Sequence, residues 1–153
     1  MSGVVSDASP LIALQEIGQL GLLEAIFGTV LIPTAVAREA QTVERLSWMV
    51  ERTPTSPLAP AVVQAGLGPG ETESICLALE LSADRVLLDD LPARSLAHRL
   101  NIPLIGTLGI LLAAKRRGLI PTIHEPIDTL RRGGFRVAND LYEDLLRRAG
   151  EFA

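Results

Sequence analysis

Residues 68–90 combine a turn, an apolar helix and an apolar strand in one continuous stretch. The Pro-Gly pair near its start predicts a turn, with a helix beginning directly after it. The helix body 75–79 is apolar on nearly every side, which indicates a buried helix rather than an amphipathic surface helix. The run 86–88 is short and apolar, as expected for a buried parallel strand. This order of elements favours an α/β fold.

Four acids lie at the ends of these two elements. Glu71 and Glu73 fall in the predicted first turn of the helix, and Asp89 and Asp90 follow the predicted strand. The carboxyl ends of strands line the ligand crevice of an open α/β sheet. Carboxylates that gather there must bind cations, have shifted pKa values or be exposed to water.

Asp7 lies at another predicted junction between a strand and a helix. Residues 3–6 form a short β-type run that ends on Asp7, and Ser9 is a predicted N-cap with Pro10 at the first helical position. We therefore expect Asp7 to converge with Asp89 and Asp90 at one edge of the sheet. The alternative for Asp7 is a turn residue that bonds the next backbone amides.

Strands and helices alternate along the rest of the chain. Further strands are predicted at 30–32 and 103–105, and residues 53–60 form a proline-rich connector that could hold an edge strand. The alternation predicts a parallel sheet of four or five strands covered by helices. The other predicted helices span residues 22–27, 33–40, 43–52, 92–100, 108–117, 126–132 and 139–149.

Length and composition suit one domain over residues 1–153, with the helices of 126–150 as an appended part of it. No apolar run approaches the ~18 residues of a membrane span, and the first residues lack the features of a signal peptide. Cys76 is the single cysteine, which excludes an internal disulfide. We therefore expect a cytoplasmic protein.

Charge is unevenly distributed. Residues 1–84 carry ten acids against three arginines, whereas residues 85–153 carry eight acids against eleven bases. An acidic first part and a basic second part of the chain are compatible with a metal site beside a bound polyanion. The alternative is that these charges only form a solvated surface.

Several short motifs follow one another in a characteristic order. They are V-V-S-D-A-S-P-L (4–11), A-R-E (37–39), G-E-T-E-S-I-C-L-A (70–78), V-L-L-D-D (86–90), G-T-L-G (106–109), A-K-R-R-G-L-I (114–120) and the ending at 134–151. In this order the chain resembles the PIN-domain nucleases, and it looks most like a bacterial and archaeal subfamily related to VapC-type toxins.

The resemblance implies a three-layer α/β/α sandwich around a parallel sheet. It also implies a nuclease that uses Mg²⁺ or Mn²⁺ to hydrolyse single-stranded RNA, as the toxin of a toxin–antitoxin pair. The implied partners are a small antitoxin protein and a second copy in a homodimer, whose interface we expect at the C-terminal helices beside Leu141, Leu145 and Leu146.

The resemblance also assigns site residues. The catalytic carboxylates it implies are Asp7, Glu39, Glu73 and Asp89. Glu71 and Asp90 are neighbouring acids that compete with Glu73 and Asp89 as metal ligands. The candidate nucleic-acid contacts are Arg94, Arg99, Lys115 and Arg116.

Two other classes of protein remain open from the sequence. One is a catalytically silent binding module of the PIN shape. The other is a phosphoryl-accepting signalling domain, which would need paired acids after the first strand, where Asp7 stands alone. Neither His98 nor His124 neighbours a plausible nucleophile, so no Ser/His/Asp set competes with a metal mechanism.

Overall fold

The computed structural model describes residues 3–151, which contain a five-stranded parallel sheet. The strand order across the sheet is β3-β2-β1-β4-β5, and every neighbouring pair is parallel. The strands are β1 (Val4–Ser6), β2 (Val30–Pro33), β3 (Met49–Arg52), β4 (Arg85–Leu87) and β5 (Leu104–Ile105).

Nine helices connect and cover these strands within residues 3–151. They are α1 (Ala8–Glu16), α2 (Leu22–Phe27), α3 (Thr34–Glu39), α4 (Pro60–Ala65), α5 (Pro69–Leu81), α6 (Leu91–Arg99), α7 (Thr107–Arg116), α8 (His124–Arg132) and α9 (Asn139–Arg148). None of them is long and apolar enough to span a membrane.

The side chains of the strands alternate between two hydrophobic clusters on opposite faces of the sheet. Val4 and Leu87 join the cluster that also contains buried residues of α1, α7, α8 and α9. Val5 and Val86 join the second cluster, under α5 and α6. This alternation is the period-2 pattern of a strand buried on both faces. The predicted three-layer α/β/α sandwich is therefore confirmed.

The sheet order creates a switch point between β1 and β4. The chain leaves β1 toward β2 and β3 on one side and later returns to the other side for β4 and β5. In open α/β sheets, ligands bind at the carboxyl ends of the strands where the direction of winding changes. Asp7 follows β1 there, and its backbone N–H donates a 3.0 Å hydrogen bond to the carbonyl of Leu87 at the end of β4.

Several local predictions are wrong, among them the turn at Pro69 and Gly70, which are the first two residues of α5. The helix predicted at 43–52 is a turn followed by β3, because Met49 pairs with Val30 along the free edge of β2. Helical spacing of the apolar residues could not reveal this pairing, which depends on a distant strand. The helix α1 begins at Ala8 with Asp7 in the N-cap position, so Ser9 is not the N-cap.

Candidate metal centre

Three carboxylates meet at the carboxyl end of β1. Asp7, Glu39 and Glu71 each offer an oxygen, and these oxygens all lie within 4.8 Å of one another. Asp7 follows β1, Glu39 is the last residue of α3, and Glu71 lies in the first turn of α5. Elements far apart in sequence therefore bring these acids to one place.

Asp7 is the buried member of this group. Its residue surface is 3% exposed, and its Oδ1 atom has no hydrogen-bond partner among the described residues. Burial and, to a smaller extent, the negative charges of Glu71, Glu39 and Asp89 raise the pKa of Asp7 from 3.8 to about 7, although the hydrogen bond from the backbone N–H of Ala8 lowers it. A carboxylate in this environment is stabilised in its charged form by a cation.

Glu39 is held by the start of α5. The backbone N–H of Gly70 donates a 2.8 Å hydrogen bond to Oε1 of Glu39. A Cβ atom at position 70 would lie 2.6 Å from Oε2 and 2.7 Å from Oε1 of this carboxylate. Glycine at position 70 therefore permits the close approach of the backbone to Glu39.

Glu73 points to a different partner from Glu71. Two residues apart on one helix, their side chains lie roughly 200° apart around its axis. Oε1 of Glu73 accepts a 2.9 Å hydrogen bond from the backbone N–H of Ala35, in the first turn of α3. Pro33 occupies the N-cap position of α3 and makes no side-chain cap there. The structure thus brings Glu71 into the carboxylate group and uses Glu73 to satisfy the start of α3.

Asp89 lies beside the group and is fixed in place by hydrogen bonds. Its Oδ1 accepts from the backbone N–H of Thr107 at 2.7 Å, and its Oδ2 accepts from the hydroxyls of Thr107 at 2.7 Å and Ser9 at 2.9 Å. The exposed neighbour Asp90 instead caps α6, because its Oδ2 accepts a 3.0 Å hydrogen bond from the backbone N–H of Ala93. The negative charge of Asp89, and not that of Asp90, contributes to the raised pKa of Asp7.

The donor set fits a small divalent cation. Asp7, Glu39 and Glu71 provide only carboxylate oxygens, the ligands that Mg²⁺ and Mn²⁺ prefer. The buried and unpartnered Oδ1 of Asp7 is a ligand atom that no group of the described chain satisfies. Three carboxylates this close repel one another unless positive charge or protons compensate them.

The sequence profile of the PIN-domain family matches residues 3–151. The chain belongs to the PIN-domain family. Members of this family are generally nucleases that depend on divalent metal, and the acidic group stands where such a metal could bind. No curated protein and no solved structure matches the chain significantly.

Of the four basic residues expected to contact nucleic acid, only Arg94 lies near the carboxylates of this PIN domain. It lines a cavity together with Asp89, and its Nη1 donates a 2.9 Å hydrogen bond to the carbonyl of Leu88. Arg99 is the last residue of α6, roughly 12 Å from the start of that helix at 1.5 Å per residue. Near the far end of α7, Lys115 pairs with Glu151 at 2.8 Å, and Arg116 follows it. The structure brings neither of these two to the acidic site.

Sequence reasoning missed three residues that position the site. Gly70 was interpreted only as part of a turn, and Ser9 only as a helix cap. The sequence assigns no role to Thr107, which is part of the G-T-L-G motif at 106–109. In the structure Thr107 donates two of the hydrogen bonds to Asp89. A small or hydroxyl residue at a helix start gives no sequence signal for a distant carboxylate, so these roles required the fold.

Proposed function

We propose that this PIN domain is a metal-dependent ribonuclease that hydrolyses phosphodiester bonds in single-stranded RNA. The observation that carries the proposal is the group of Asp7, Glu39 and Glu71, with its unpartnered buried oxygen, at the switch point of the sheet. Family membership supports phosphodiester hydrolysis. The motif resemblance supports RNA as the substrate.

Asp7, Glu39 and Glu71 would hold Mg²⁺ or Mn²⁺ through their carboxylate oxygens. When bound, the ion would supply Lewis-acid activation of the phosphodiester and of water. Gly70 keeps Glu39 in place, and Thr107 and Ser9 do the same for Asp89. The negative charge of Asp89 raises the pKa of Asp7, so it also favours a cation beside it.

Proton binding at Asp7 competes with this role. With a pKa of about 7 in the metal-free protein, Asp7 carries a proton in a large share of molecules near neutral pH. Asp7 would have to lose this proton to hold the ion, because a carboxylate ligand must be deprotonated. Arg94, whose Nη1 donates a hydrogen bond to the carbonyl of Leu88, lines the cavity beside Asp89, and its guanidinium group would be suited to contact a phosphate there.

The direct test is cleavage of matched oligonucleotides of one sequence: single-stranded RNA, double-stranded RNA and single-stranded DNA. We expect Mn²⁺ or Mg²⁺ to support cleavage of the single-stranded RNA, and EDTA or Asp7→Asn to abolish it. Asp140→Asn, an exposed acid at the start of α9, is the matched control and should retain activity. Cleavage that survives EDTA would defeat the metal mechanism, and absence of both cleavage and Mn²⁺ binding would favour a silent binding module.

We also propose that this ribonuclease is the toxin of a toxin–antitoxin pair and acts as a homodimer with a small antitoxin protein as its partner. The resemblance of the sequence motifs to the VapC-type subfamily supports the toxin role, the homodimer and the antitoxin partner. Of the three leucines of α9 that we expected at the interface, only Leu141 is exposed, because Leu145 and Leu146 are buried in the core. Induced expression of the wild-type chain should arrest growth of the host cells, and expression of Asp7→Asn should not. Light scattering that returns a monomer at micromolar concentration would refute the dimer.

A further inference from the structure

A cavity of about 610 Å³ opens beside Asp89. It lies between the starts of α6, α7 and α9 and the segment that joins α8 to α9. Its volume falls within the roughly 300–1,000 Å³ of small-molecule sites. Asp89, which lies beside the group of Asp7, Glu39 and Glu71, lines this cavity, so the cavity adjoins that group without sharing a residue with it. The side chains that define it are Leu91, Leu108, Phe135, Leu141, Arg94 and Arg136.

The cavity exposes apolar side chains that a folded domain would otherwise bury. Leu91 is 76% exposed and Leu141 is 43% exposed, and half-buried Phe135 lies along the same wall. Exposed apolar residues that gather in one concave place mark binding surfaces more often than isolated ones do. An apolar or aromatic part of a ligand therefore suits this wall.

Positive charge flanks the apolar wall. Arg94 and the exposed Arg136 line the cavity, and neither lies within ion-pair distance of a carboxylate in residues 3–151. A Cβ atom at Gly106 would lie 2.6 Å from Nη1 of Arg94 and 3.0 Å from Oδ1 of Asp89, so these two groups converge on Gly106. Arginine at the rim suits a phosphate, because guanidinium groups contact phosphate oxygens in a bidentate manner.

We propose that this cavity is a nucleotide subsite, which takes one unstacked base of the substrate strand next to the scissile phosphate. Leu91, Phe135 and Leu141 contact the base, and Arg94 and Arg136 contact the phosphates on either side of it. The proposal rests on the proposed nuclease function and adds the place where a single strand would put one of its bases. Proteins that bind single strands combine apolar or aromatic contacts to bases with cationic contacts to the backbone. A base-paired strand would first have to flip a base out, at an energetic cost.

The continuity with Asp89 favours a nucleotide over a peptide. Asp89 lies beside the carboxylates and also lines the cavity, so a strand whose phosphate lies at the carboxylates would have the cavity within reach of its next nucleotide. The apolar wall with two arginines matches the base and the phosphates of such a strand. A peptide with acidic and apolar side chains would make contacts with this cavity similar to those of a nucleotide. Such a peptide has no chemical reason to lie beside a metal centre.

The test separates binding from cleavage. A fluorescent single-stranded oligoribonucleotide is titrated with the full chain in EDTA, and binding is followed by anisotropy. A set of oligonucleotides then carries one abasic site, moved one position at a time. We expect one position to weaken binding roughly 5- to 150-fold when its base is removed, the range for a single base contact. Equal affinity at every position would overturn the proposal.

Two variants link this effect to the cavity. Leu141→Glu should weaken binding of the intact strand and abolish the difference between abasic positions. Leu119→Glu is the matched control, because Leu119 is also 43% exposed and lies outside the cavity. Arg136→Gln should reduce the salt dependence of binding by about one unit of slope, as expected for one lost phosphate contact.

The outcomes also separate this proposal from the nuclease function. A base-dependent position without cleavage would support the subsite and defeat the nuclease. Cleavage with no base-dependent position would support the nuclease function and overturn the subsite. Binding that Leu141→Glu leaves unchanged would assign the cavity to another ligand, such as an acidic peptide, and would overturn the subsite.

Discussion

The backbone N–H of Gly70 donates a 2.8 Å hydrogen bond to Oε1 of Glu39, which joins the start of α5 to the end of α3. A second bond of the same kind runs in the opposite direction, because Glu73 of α5 accepts from Ala35 at the start of α3. Each helix therefore satisfies a backbone amide at the start of the other. Since Glu39 belongs to the candidate metal centre, the packing of α3 against α5 determines where one of its ligand atoms lies.

This close approach predicts the effect of Gly70→Ala. The added Cβ atom would lie 2.6 Å from Oε2 of Glu39, so the carboxylate must leave its present position beside Asp7 and Glu71. Loss of a group that positions a ligand costs about 10- to 100-fold in metal affinity, and we expect that loss here. Calorimetric titration with Mn²⁺ measures it. Gly21→Ala is the control, because a Cβ atom at that position meets nothing within 4 Å, and equal affinities of the two variants would contradict the prediction.

The two neighbouring glutamates of α5 should respond differently to substitution. Glu71→Gln removes a ligand charge and also one of the charges that repel Asp7, so we expect weaker Mn²⁺ binding and slower cleavage with no loss in the free energy of unfolding. Glu73→Ala leaves the Ala35 amide without its partner, so we expect a loss of about 0.5–2 kcal/mol in that free energy, as for a lost N-cap.

Urea unfolding in EDTA and Mn²⁺ titration distinguish the two effects. Glu24→Gln, at an exposed position in the first turn of α2, is the control for both measurements. If Glu73→Ala weakened Mn²⁺ binding more than Glu71→Gln, the assignment of the two roles would be reversed.

The positions of the strand-end acids follow from the sequence more directly than the orientations of the helical acids, for a physical reason. An apolar run followed by an acid is a local pattern, so Asp7 and Asp89 could be placed at one edge of the sheet before the fold was known. The choice between Glu71 and Glu73 depends on the rotation of α5 relative to the sheet, which tertiary packing sets. The strand at 49–52 was missed for the same reason, because its pairing with β2 is not a local property.

Glu151 should make the fold sensitive to acid. Its side chain is 8% exposed, and although burial raises its pKa, the hydrogen bonds from Lys115, Ile123 and His124 lower the pKa to about 2. Because this value is below the ordinary 4.5, the stabilisation is present above pH 4.5 and is lost as pH falls toward 2. The full effect is on the order of 3 kcal/mol.

Unfolding of the wild type and Glu151→Gln at several pH values measures this contribution. We expect the wild type to be the more stable protein at pH 6 and the difference to shrink progressively below pH 4.5. Glu143→Gln, at a half-exposed position on α9, should show a small difference that changes little with pH. A constant difference between wild type and Glu151→Gln from pH 6 to pH 2.5 would refute the predicted role.

Asp7→Asn should stabilise the metal-free protein at high pH. The folded-state pKa of about 7 lies above the ordinary 3.8, so the folded wild type binds a proton more tightly than the unfolded chain. Its stability therefore falls as pH rises from about 4 through 7, by up to about 4 kcal/mol. Asparagine does not ionise, so the variant escapes this loss, and in EDTA its melting temperature should exceed that of the wild type at pH 8 but not at pH 4.

Metal reverses the order of the two proteins. Mn²⁺ should raise the melting temperature of the wild type more at pH 8 than at pH 5.5, because Asp7 must lose its proton to bind the ion. The same Mn²⁺ concentration should change the melting temperature of Asp7→Asn little, because that variant lacks the buried ligand charge. Asp140→Asn should behave as the wild type in every condition. A wild type that is more stable than Asp7→Asn at pH 8 in EDTA would show that burial of the Asp7 carboxylate is already compensated within the protein, and the cation would then have no charge left to neutralise there.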